Sequence, residues 1–223
     1  GGEIEALLRG GIAVCLPDVR GVGETSPDSR RGPNGEEASI ASTEFMLGNT
    51  LLGARLKDLR SVVHYLATRG DLDGSHVALW GDTAAPANPA RILDETPGWQ
   101  IGPQIQHQAE PLGALLAVLG GLYEDRVRAV AARGALVGYL ALLEDNFTYV
   151  PNDVILPGVL EKGDVADVVN ALAPRPVLLE APVDGRNRLV PDSSLRSWFA
   201  LRPALETRSG GADLAAWLAA ALR

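Results

Sequence analysis

Four short apolar runs, each ending in turn-forming residues and separated by long amphipathic stretches, constrain the fold most strongly. They are Ile12–Leu16, Val77–Trp80, Val127–Ala131 (interrupted by Arg128) and Val177–Leu179. Runs without polar alternation suit strands covered on both faces. Helix-length segments between such strands predict crossover units and a parallel sheet. A fifth strand is expected over 203–207. Between the runs, Leu51, Leu52, Leu56, Leu59, Val62, Val63 and Leu66 recur at helical spacing, predicting one long helix from about residue 44 to 68. Shorter helices are expected over 3–9, 109–123, 164–172, 192–201 and 213–222. Residues 28–42, polar and without periodicity, read as loop. The expected fold class is therefore α/β, three layers α/β/α around a mostly parallel sheet.

Bulk properties exclude several functions. A length of 223 residues fits one sizeable domain, and 46% hydrophobic with 22% charged residues is ordinary for a globular protein. A formal charge of -8 argues against a nucleic-acid partner. No run reaches the roughly 18 apolar residues that span a membrane, so no membrane partner is expected. The chain opens on Gly1-Gly2 without methionine, which leaves its cellular location undetermined. Cys15 is the single cysteine and is expected as an inert buried thiol in its strand. Three scattered histidines make no metal-ligand spacing, and the glycines of Arg20-Gly21-Val22-Gly23 lack the Lys-Ser/Thr of a phosphate loop. No cofactor is called for.

The stretch Trp80-Gly81-Asp82-Thr83-Ala84-Ala85 carries the candidate chemistry. A small hydroxyl residue just past a strand end can be held above a parallel sheet, with backbone N–H groups pointing into the same space. Pro86 and Pro89 disturb any helix following it, and residues 89–108 read as an irregular excursion.

Three further stretches, in order, carry a family resemblance. Asp18-Val19-Arg20-Gly21-Val22-Gly23-Glu24-Thr25 resembles the Asp-x-Arg-Gly-x-Gly-x-Ser loop of the α/β-hydrolases. Leu52-Gly53-Ala54-Arg55-Leu56-Lys57-Asp58-Leu59-Arg60 is similar to the helix before their nucleophile strand. Ala171-Leu172-Ala173-Pro174-Arg175-Pro176 resembles the entry to the strand before their catalytic acid. The series is most similar to the acetyl xylan esterase or prolyl-oligopeptidase-like branch. That resemblance implies a carboxylic ester hydrolase acting on a small ester or an acylated carbohydrate. It places Thr83 at the nucleophile position, the Ala84 N–H as an oxyanion donor and Asp184 at the acid position.

The chain departs from the family at three positions. Threonine replaces serine at Thr83, Ala85 replaces the second glycine of the turn, and Ala212 stands where the histidine would be. No histidine follows His107, and a hydroxyl needs a neighbouring base to become a nucleophile near neutral pH. His107, in the excursion, is the one imidazole with freedom to approach Thr83; His64 and His76 read as structural. Plain roles stand beside the catalytic ones: Thr83 or Asp82 as a cap, Asp184 in a turn paired with Arg186 or Arg188, and Arg20 pairing with a carboxylate or carbonyl.

The resemblance also implies that the family's first three strands are missing, one of them internal to the sheet. Residues 1–223 are then a single partial domain, with the missing strands supplied by upstream sequence or another chain, or the packing differs. Two functions remain open: an esterase using Thr83, and a catalytically inactive relative serving as a binding or structural domain.

Overall fold

The computed structural model describes residues 2–26, 35–90, 107–199 and 203–223. Four parallel strands form the sheet in sequential order: β1 (Val77–Gly81), β2 (Val127–Arg133), β3 (Val177–Glu180) and β4 (Leu205–Arg208). Residues of β1, β2 and β3 alternate between two cores, as the period-two geometry of a strand requires. Leu79, Val130, Ala132, Val177 and Leu179 face the larger core, built with α3 (Leu51–Ala67), α4 (Leu112–Tyr123) and α5 (Val165–Ala171). Ala131 and Leu178 face the smaller core, with Ala78 and Trp80 packed against it, under α1 (Gly2–Arg9) and α7 (Leu214–Ala221). The molecule is thus three-layered, α/β/α, with helices on both faces of the sheet. Helices α2 (Gly35–Met46) and α6 (Asp192–Trp198) complete the set.

The expected helix over 44–68 is two helices. Gly48, at φ 76°, breaks the run, and Thr50 restarts it by accepting from the Gly53 amide at 3.1 Å. Part of the expected loop over 28–42 is α2, which begins at Gly35; most of the excursion over 89–108 lies outside the described residues. The expected strand Ile12–Leu16 does not join the sheet. Ile12 and Val14 turn toward the smaller core, while Ala13, Cys15 and Leu16 face out. No strand of the sheet pairs with this run, and three of its five side chains are exposed. Cys15 is accordingly exposed rather than buried.

Helix α4 sits on the sheet through glycines. A Cβ on Gly81 would run into the Gly113 carbonyl, and one on Gly120 would come within 2.7 Å of Leu79 Cδ1. Glu124, just past α4, bonds Arg60 Nε at 2.6 Å and His64 Nε2 at 2.9 Å, joining the end of α4 to α3. Arg55 of α3 is fully buried, pairs with Asp153 and donates from Nε to the Arg20 carbonyl at 3.0 Å. Arg20 in turn grips Asp58 through two bonds of 2.7 and 2.6 Å, which hold that carboxyl below the usual carboxylate range. No helix among the described residues is long and apolar enough to cross a membrane.

Two predictions follow from this packing. Gly81→Ala sets a methyl against backbone that cannot yield, and should cost about 3 kcal/mol in urea unfolding with an unchanged slope. Burial alone would raise the Glu124 pKa, but Arg60 and His64 outweigh it and bring it below 4.5. A carboxyl lowered in the folded state stabilises fully above its unfolded value and loses that contribution as pH falls through the folded one. Glu124→Gln should therefore cost about 1–2 kcal/mol at pH 7, and the gap between variant and wild type should close as melts are taken below pH 4.5.

Candidate functional site

Parallel strands deliver their carboxyl ends to one edge of the sheet, where open α/β folds place ligands. At this edge the loops after β1, β2 and β3 surround a cavity of about 240 Å³. Thr83, Ala85 and Ala87 line it from the first loop, Arg133 and Gly134 from the second, and Val183, Asn187 and Leu189 from the third. Glu110, just before α4, adds a carboxylate. A more open hollow of about 370 Å³ lies between α1 and α7; its two charged residues are Glu3 and Asp213, and Asp213 already caps α7 through the Ala216 amide.

Thr83 reaches the cavity because no helix starts in the described residues directly after β1, 82–90. Its Oγ1 accepts from the Ala85 amide at 3.1 Å. Its methyl lies where a side chain on Gly134 would be; Gly134, at φ 69°, combines a left-handed backbone with this close approach. Ala84 is exposed and does not line the cavity.

Arg133 is the electrostatic centre. Its Nε donates to Glu180 at 2.7 Å, Nη2 to Glu3 at 2.9 Å and Nη1 to Asp82 at 3.0 Å, while the guanidinium lies 5.9 Å from the Trp80 ring centre. Burial would lower the Arg133 pKa, but the bonds to Glu3 and Glu180 and the charges of Asp82 and Glu180 raise it well above its ordinary value. Glu180, 4% exposed, also accepts from the Ala212 amide at 2.9 Å.

None of the remaining candidates is hydrogen-bonded to Thr83's hydroxyl or lines the cavity. Asp184 is occupied by its own turn: Oδ1 accepts from the Arg186 and Arg188 amides at 2.9 and 3.0 Å, and Oδ2 from Arg188 Nε at 2.8 Å. His107 is exposed, and its backbone is clasped from both sides by the Asn88 amide group. His64 is bound to Glu124, and His76 Nδ1 to Asp73 at 2.7 Å. None of the three imidazoles lines the cavity. Among the described residues, no group of three or more His, Cys, Asp or Glu is placed to hold a metal ion.

Two buried asparagines, one of them (Asn187) on the cavity wall, were not legible in the sequence. Asn88 Nδ2 donates to the carbonyls of His107 and Arg186, both at 2.8 Å, and Oδ1 accepts from the His107 amide at 2.7 Å. Asn187, held at φ 56°, donates to the Pro86 and His107 carbonyls. Together they lock the loops after β1 and β3 to residue 107, although no local pattern marks them. Arg133 carried a weak signal, a charge at the end of a largely apolar strand, and Glu180 the same.

No family model matches the chain, and comparisons with curated proteins and with solved structures find no match.

Replacing Asn88 by alanine removes three hydrogen bonds at once, one buried and two part-buried. We expect a loss of about 2–3 kcal/mol in chemical denaturation, and faster amide exchange at residues 86–88 and 107 read by hydrogen-exchange mass spectrometry.

Proposed function

We propose that this α/β domain binds a small molecule in the cavity at the strand ends and does not hydrolyse it. The observation that carries the reading is that Thr83 lines the cavity while no imidazole does. A hydroxyl at its ordinary pKa is a poor nucleophile, and a positioned general base contributes roughly 10²–10⁴-fold in rate. The Thr83 oxygen is instead engaged by the Ala85 amide, a turn contact within its own loop. Asp184 has Arg188 as its charge partner, and Ala212 contributes a backbone N–H to Glu180. These contacts support an α/β-hydrolase-like binding or structural domain in which ion pairs occupy the places that a hydrolytic relay would need.

The competing reading is an acetyl xylan esterase-like hydrolase with Thr83 as nucleophile. One observation favours it: Thr83 is at the end of β1 and faces an open cavity. The two separate cleanly in an assay of p-nitrophenyl acetate hydrolysis. Wild type and Thr83→Ala should both run at the rate of buffer or of a denatured control. A wild-type rate tenfold above that control, lost in Thr83→Ala, would return the hydrolase reading.

A further inference from the structure

We infer that the cavity takes a small organic cation, an alkylammonium in the simplest case, with Glu110 as its counter-ion; this rests on the reading of the cavity as a binding site. Two charged side chains line it, Arg133 and Glu110. The arginine's charge is already outnumbered by its partners: Nε donates to Glu180, Nη2 to Glu3 and Nη1 to Asp82. One positive charge thus faces three negative ones, and the cluster is negative as a whole.

Glu110 differs from those three. It is exposed, lies on the cavity wall, and among the described residues has no hydrogen bond or ion pair. A free carboxylate on the same wall as a guanidinium whose charge is outnumbered gives the cavity, among the described residues, a surplus of negative charge. A concave site with low-dielectric walls concentrates such a field, and the chain's net charge of -8 adds to it at long range.

The rest of the wall fixes the shape of the ligand. Ala85, Ala87, Val183 and Leu189 offer apolar surface for an alkyl stem. The Asn187 amide group is committed to the Pro86 and His107 carbonyls, so it offers no donor to an incoming carboxylate. The volume of about 240 Å³ corresponds to roughly eight waters, enough for a short chain and a head group.

Three probes of equal length and different charge test this: n-butylamine, n-butanol and butyrate, titrated at pH 7 and low salt by ligand-observed NMR. Butylammonium should bind about tenfold more tightly than butanol, a difference of about 1.4 kcal/mol, and butyrate should show no binding. Glu110→Gln should weaken butylammonium about fivefold while leaving butanol and the thermal midpoint unchanged. Raising the salt to 0.5 M should shrink the preference. Equal affinity for all three probes, tighter binding of butyrate, indifference to Glu110→Gln, or no binding of any probe would each overturn the inference. Failure of the non-hydrolytic reading appears separately, as Thr83-dependent ester turnover, so the two outcomes cannot be confused.

Discussion

The edge of the sheet that bears the cavity is organised by Arg133. It sits at the end of β2, and its neighbours β1 and β3 each send a carboxylate to it, Asp82 and Glu180. Glu3 brings α1 to the same point, and Glu180 passes the connection on to the backbone before α7. One guanidinium therefore joins two strand ends and both helices of one layer. Its planar fork is suited to this, since it offers several donors in fixed directions where an ammonium would offer a point charge. The pairs differ in worth. Glu180 is 5% exposed along its side chain, while Asp82 and Glu3 are near 40%. The first bond is thus made in low dielectric, and the outer two are moderated by water.

That arrangement bears on the role we propose for Thr83. A nucleophile at a strand end needs a base poised over it and a third group to orient the base. Here the neighbouring strand ends hold an arginine and carboxylates that satisfy one another. Glu180 spends one oxygen on Arg133 and the other on the Ala212 amide. The polar groups beside Thr83 are coupled to architecture, which supports binding over acid–base chemistry.

The layered fold was legible because it depends on repeated local signals. The apolar runs at Val77, Val127 and Val177 appear as β1, β2 and β3, and strand alternation sorts their side chains into two cores. Where the sequence reading missed, a tertiary fact intervened. Ile12–Leu16 has the composition of a buried strand, but composition cannot supply a neighbour for it, and the run stays outside the sheet with Cys15 exposed. Gly48 splits a pattern that periodicity alone joins across residues 44–68. Position was easier to read than partnership. Thr83 is at the strand end and on the cavity wall, yet nothing near it in sequence announces that Arg133, fifty residues on, would set the electrostatics there. Asn88 and Asn187 were invisible for the same reason, since their bonds cross about a hundred residues or end on backbone carbonyls.

The excess of carboxylates around Arg133 is itself informative. A cluster built for stability alone would match charges, because each surplus carboxylate in a partly buried site carries a desolvation cost and repels the others. Asp82 and Glu3 escape part of that cost by facing solvent. Glu110 escapes it by standing at the cavity wall, where it is exposed. Glu110 alone of these carboxylates lines the cavity, Glu3 faces the hollow between α1 and α7, and the buried side is the pair Arg133–Glu180. Charge that is unmatched inward destabilises a fold; charge that is unmatched toward a cavity is available to whatever fills it.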